Sequence, residues 1–126
     1  MRTPVKTYLP SDEAPIEWAV TADGVLYTAH VPLRADSSIE TGPIELQAEL
    51  TFANLKQTVE AAGGTLEDVT QVLIYLTDPA AFPGMNAVYR RFFAKPYPNR
   101  ATVVVAGLVV PGALIEIVAY AHLPRD

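Results

Sequence analysis

The stretch Val69–Leu76, VTQVLIYL, constrains the fold more than any other part of this chain. It is nearly continuously apolar and rich in β-branched side chains, as expected of a strand covered on both faces. Thr77-Asp78-Pro79 ends it. Upstream, Ile44, Ala48, Phe52, Leu55 and Val59 recur at helical spacing and form one apolar stripe. Pro43 stands where a first-turn proline is tolerated, and Gly63-Gly64 stops the helix. A helix of about five turns is long for so short a chain, so it must cover a sheet. Downstream, Met85, Val88, Tyr89 and Phe92 mark a second amphipathic helix, closed by Lys95-Pro96-Tyr97-Pro98.

The remaining segments read as strands. Trp18–Thr21 and Val25–Thr28 flank Ala22-Asp23-Gly24, a strong hairpin signal. Residues 32–42 form a polar loop. Two further strands are expected at Ala101–Leu108 and Ala113–Leu123. The order of strands, helix, strand, helix and strands predicts an α+β layer fold with both helices on one face of a mixed sheet. With 126 residues and no linker or repeat, residues 1–126 are expected to be a single domain.

Composition narrows the function classes. The net charge is −5, which disfavours a general binder of nucleic acid or of an anionic membrane. No apolar run reaches the roughly 18 residues of a membrane span. The start, MRTPVKTYLP, lacks the apolar stretch of a secretion signal, so a soluble cytoplasmic protein is expected. Without cysteine there are no disulfides, thiolate metal sites or cysteine nucleophiles. The two histidines, His30 and His122, have no metal-ligand spacing, and no metal is expected. Half of the residues are hydrophobic and only 18% are charged. A chain this short cannot hide all of that surface, and another copy of itself is the expected cover.

Two charged residues stand out from apolar surroundings. Glu116 interrupts Ala113–Tyr120 (ALIEIVAY), where strand alternation places it on one face with Leu114, Val118 and Tyr120. A buried carboxylate needs a partner or a cleft, or it stays protonated. Arg100 follows Pro98-Asn99 directly before the strand ATVVVA, where its guanidinium can grip a carboxylate through two parallel hydrogen bonds. The pair can equally form a structural salt bridge, or Arg100 can face solvent. In a tight hairpin centred near Val110-Pro111, Glu116 would face Val105 and lie about 16 Å from Arg100 along the strand. A shared site then requires an intervening strand or a neighbouring subunit.

Taken together, Pro98-Asn99-Arg100-Ala101-Thr102-Val103, Ala106-Gly107-Leu108 and Ile115-Glu116-Ile117 resemble the C-terminal signature of the RidA (YjgF) family. Asn54-Leu55, Glu60–Gly63 (EAAG), Val72–Asp78 (VLIYLTD), Asn86–Tyr89 (NAVY) and Phe92-Phe93 extend the resemblance along most of the chain. It implies a chorismate-mutase-like α+β fold assembled as a homotrimer, with ligand sites in clefts between subunits. It also implies hydrolytic deamination of enamines and imines such as 2-aminoacrylate to a 2-keto acid and ammonia, with no cofactor. By position, Arg100 would clamp the substrate carboxylate, the backbone N–H of Thr102 would assist, and Glu116 would hold or activate the attacking water. Asn86 would line the cleft from the adjacent subunit.

The chain also departs from the pattern. Deaminating members carry a tyrosine soon after a proline near the N-terminus, where this chain has Pro15-Ile16. They carry a Ser-Gly pair after the second strand, where it has Thr28-Ala29-His30. Thr28 can supply the missing hydroxyl, and His30 raises the idea of a substitute acid or base, although a histidine near a strand end is more often structural. A cysteine common two residues after the arginine is Thr102 here. These changes favour a second reading, a non-catalytic trimer that binds small carboxylic metabolites. Ribonuclease activity, a label some relatives carry, is opposed by the acidic balance and the absence of a basic aromatic stripe.

Overall fold

Asp23 and Gly24 both adopt positive φ, 52° and 78°, and close the two-residue turn between β2 (Ala19–Ala22) and β3 (Val25–His30). From this hairpin the computed structural model, which describes residues 1–125, extends into one six-stranded sheet. The other strands are β1 (Thr3–Pro4), β4 (Val69–Leu76), β5 (Asn99–Val104) and β6 (Ile115–His122). Their order across the sheet is β1-β2-β3-β6-β4-β5. Every neighbouring pair is antiparallel except β4 and β5, so the sheet is mixed, as expected.

Helix α1 (Ile44–Ala61) ends at Gly63, whose φ of +94° only glycine adopts at no cost, and α2 is Phe82–Phe92. Both pack on the same face of the sheet. There Leu26, Val72, Ile74, Ile115 and Ile117 meet Ala48, Phe52, Leu55 and Val59 of the α1 stripe. Phe52 is the aromatic hub of the helix layer, with ring centroids of Tyr89, Phe92 and Phe93 at 5.6, 5.7 and 6.1 Å. No helix among the described residues is long and apolar enough to cross a membrane.

Several boundaries differ from the sequence reading by a few residues, and three of them have a clear local reason. Helix α2 starts three residues before Met85, because a short 3₁₀ turn at Pro79–Ala81, capped by the Asp78 side chain, leads straight into it. Strand β5 stops at Val104 rather than Leu108, because its partner β4 ends at Leu76, the residue paired with Val104. Strand β6 begins at Ile115, after Leu114 has been taken up by a side chain of α1.

That side chain is Gln47, fully buried on the face of α1 that also carries the apolar stripe. Its amide donates to the carbonyls of Gly42 and Gly112 at 3.1 Å each, and its oxygen accepts from Leu114 N–H at 2.7 Å. Asn54, two turns later on α1, donates to the carbonyls of Val31 and Leu33. These amides replace the backbone pairing that two loops lack. Gln47→Leu preserves volume but strands one N–H and two carbonyls. At about 1–3 kcal/mol for each buried unpaired group, a loss of about 3 kcal/mol or more is expected, read as a lower urea midpoint at unchanged slope.

The opposite face of the sheet carries no helix. Tyr27, Leu73, Tyr75, Ala101, Val103, Val118 and Tyr120 share it, with Glu116 among them. Tyr27 and Val103 are 42% and 46% exposed, so this apolar face is open in a single copy. The strand β4, expected to be covered on both sides, is covered by its own chain on one.

Candidate active site

Strand β4 separates the two charged residues singled out above. Val72 pairs with Arg100 on one side of it, and Tyr75 with Glu116 on the other. Val72 and Tyr75 are three positions apart, so their side chains leave opposite faces of the sheet. Arg100 therefore stands on the helix side and Glu116 on the open side. Along and across the strands they are about 14 Å apart at the backbone. The structural salt bridge that the sequence left open does not form within the chain. Among the described residues the ion pairs are Arg34–Glu40 and Arg91–Glu49, and neither includes Arg100 or Glu116.

Arg100 is held by aromatic faces instead of a carboxylate. Its guanidinium carbon lies 4.5 Å from the Tyr89 ring centroid and 5.8 Å from that of Phe82. Stacking of this kind orients the fork and leaves its N–H edge free for an anion. The fork borders an open cleft of about 550 Å³ lined by Asn86, Tyr89 and Arg90 of α2, Lys95, Tyr97 and Pro98 of the following loop, and Arg100. Asn86, Tyr89 and Arg90 share one side of α2 by their spacing. Tyr89 is buried, its hydroxyl has no hydrogen-bond partner among the described residues, and burial pushes its pKa up.

Thr102 lies two residues further along the same face of β5. Val105 N–H donates to Leu76 of β4, and amides alternate along a strand, so Thr102 N–H points to the free outer edge of the sheet. It is a donor on the Arg100 side, unclaimed by the ladder. Its side-chain hydroxyl is buried and has no hydrogen-bond partner among the described residues.

Glu116 is half-buried on the open face, and desolvation pushes its pKa above the usual carboxylate range. Ala29, paired with Val118, is its diagonal neighbour there. Ile16 is 60% exposed in the segment leading into β2, where it shares a shallow cleft with Val20, the open-face partner of Tyr27. Thr28 is turned away from this group: its hydroxyl is buried and donates to the Ala119 carbonyl at 3.0 Å. One face thus carries Arg100, Thr102 and Asn86, and the other carries Glu116, Ala29 and Ile16.

His30 also faces the core. It is 1% exposed and stacks on Trp18 at 6.0 Å, its Nε2 has no partner among the described residues, and burial pushes its pKa down to about 3. An imidazole so held is neutral and away from both clefts, which leaves it a structural role. Between the unfolded value near 6.5 and the folded one, the unfolded chain binds the extra proton, so stability falls as pH is lowered through that window. Wild type should lose about 2 kcal/mol more than His30→Leu between pH 7 and pH 5, as read by urea unfolding at fixed protein concentration.

Sequence reasoning gave no site role to Tyr89, Arg90, Lys95 or Tyr97: it read Tyr89 as part of the apolar side of the second helix, and Lys95 and Tyr97 as part of the segment that closes it. The signal available was the helical spacing of Arg90 from Asn86; the turn of the loop that brings in Lys95 and Tyr97 has none.

A family profile described as Endoribonuclease L-PSP matches residues 9–123. Among solved structures, RidA from an Antarctic Psychrobacter species is 30% identical with a TM-score of 0.88, over 96% of this chain and 99% of that one. Escherichia coli TdcF, solved with bound serine, is 28% identical with a TM-score of 0.87, over 98% and 99%. The Rid-family protein YyfA of Yersinia pestis, described as of unknown function, is 26% identical with a TM-score of 0.91, over 98% and 100%.

Proposed function

Because the chain belongs to the Endoribonuclease L-PSP family, which includes the RidA (YjgF) proteins, we propose that it deaminates small enamine and imine acids by hydrolysis. The observation that carries this reading is an arginine without an acidic partner, oriented by two aromatic rings at the mouth of a cleft. A planar 2-imino or 2-keto acid offers the carboxylate that such a fork takes through two hydrogen bonds. The Thr102 N–H on the same edge can add a third. The serine bound in the similar TdcF is an amino acid of this size.

Hydrolysis also needs a base for water, and Glu116 is the group suited to it. Its carboxylate takes one proton as water attacks C2 of the imine; that proton and then the proton of the new C2 hydroxyl pass to the nitrogen, which leaves as ammonia while C2 becomes a ketone. An enamine such as 2-aminoacrylate first tautomerises to the imine, losing a proton from nitrogen and gaining one at C3. No oxidant or reductant enters. Because Glu116 and Arg100 occupy opposite faces of one sheet, the site is completed by a second copy. Its open apolar face and Glu116 meet the first copy's Arg100 edge, in a homotrimer of three equivalent sites. The uncovered row of Tyr27, Leu73, Val103 and Val118 supports self-association, since apolar surface of this kind is stabilised by burial.

The buried, committed hydroxyl of Thr28 favours one alternative, a trimer that binds small carboxylic metabolites without turning them over. The test generates 2-aminoacrylate with a serine dehydratase and follows pyruvate release. Faster release with the protein present supports the deaminase. No acceleration, with a 2-keto acid still bound through Arg100, supports the binding protein.

A further inference from the structure

We infer that the Arg100 cleft selects acids carrying a second anionic group, held by Arg90 and Lys95. This rests on the proposed role of Arg100 as the clamp for the first carboxylate. In a chain of net charge −5, three cationic side chains line this one cleft and, among the described residues, no acidic side chain does. Among the described residues neither Arg90 nor Lys95 has a carboxylate within 4 Å, whereas the neighbouring Arg91 pairs with Glu49. Like charges gathered around one concavity raise its potential, and an anion is the species that relieves it.

A second observation points to a ligand in the same place. Tyr89 is only 4% exposed and lines the cleft, yet among the described residues its hydroxyl has no hydrogen-bond partner. A buried hydroxyl left unpaired is unfavourable, and an anionic oxygen would satisfy it. The arrangement fits a short acid in which a carboxylate or phosphate stands a few bonds from the 2-keto or 2-imino group. Arg100 takes the proximal carboxylate, and Arg90 with Lys95 takes the distal anion. An apolar side chain in that position would meet two cationic heads instead.

Calorimetric titration of the intact protein with 2-oxobutanoate, 2-oxoglutarate and 3-phosphohydroxypyruvate tests this. The diacid or the phosphorylated keto acid should bind about tenfold or more tightly than 2-oxobutanoate. That ratio should shrink between low and high salt, and should fall towards one in Arg90→Ala/Lys95→Ala. Arg90→Glu/Lys95→Glu should invert it. Both positions are exposed, so the variants should fold, and circular dichroism checks this. Whether the carboxylate or the phosphate ligand binds more tightly identifies the distal group. Equal affinities for 2-oxobutanoate and the dianions, or a ratio unmoved by the double variants, overturns the inference and leaves the clamp standing. Failure of every keto acid to bind, or binding indifferent to Arg100→Ala, overturns the clamp itself. A short oligoribonucleotide that binds the cleft and is not displaced by the acids overturns both.

Discussion

Arg100→Ala should weaken binding of a 2-keto acid by about 30-fold to several thousand-fold, the range found when one member of a buried charge pair is truncated. Arg90 and Lys95 line the same cleft, but among the described residues only Arg100 is stacked on the rings of Tyr89 and Phe82. The cost to folding should be small by comparison, about 1 kcal/mol from the lost ring contacts. Arg100→Lys retains a positive charge over the rings but not the planar fork, and should fall between wild type and alanine. Titration with 2-oxobutanoate gives the affinities, and a thermal melt confirms that the fold survives. An Arg100→Ala protein that binds as well as wild type would remove the clamp from the account.

Glu116→Gln should act on turnover rather than affinity. Removing a positioned base lowers kcat by about 10²- to 10⁴-fold, while keto-acid affinity should stay within a few-fold of wild type. The sign of the pH dependence follows from burial. Desolvation raises the Glu116 pKa, and the base works only when ionised, so activity should drop as pH falls through that raised value. The acid limb should disappear from the residual activity of Glu116→Gln. Pyruvate release from 2-aminoacrylate at several pH values reads both effects. An unchanged kcat would assign the water to another group.

The parts of this architecture written in local pattern were legible before any coordinates. The α1 stripe, the Asp23-Gly24 turn and the VTQVLIYL strand each carry their own period or turn chemistry, and each forms where expected. Strand order is not local. Nothing in Ala101–Leu108 or Ala113–Leu123 says that β4 runs between them, although the distance between Arg100 and Glu116 already demanded something there. The polar residues Gln47 and Asn54 were invisible for a related reason. They interrupt no period, and their partners are backbone groups in loops far along the chain. At the site, Arg100 and Glu116 stood out because a charge in an apolar strand needs a reason. Their opposite faces follow from register alone, and register is set by pairing across the whole sheet.

The most direct test of the composite site uses two variants that each lack one half. Arg100→Ala and Glu116→Gln are unfolded, mixed and refolded together, and 2-aminoacrylate hydrolysis is compared with that of either variant refolded alone. In a trimer of sites shared between neighbours, each mixed assembly regains one site with both native residues. Random mixing should therefore restore about a quarter of wild-type activity. A mixture no more active than its components would mean that Arg100 and Glu116 do not serve one site across two copies.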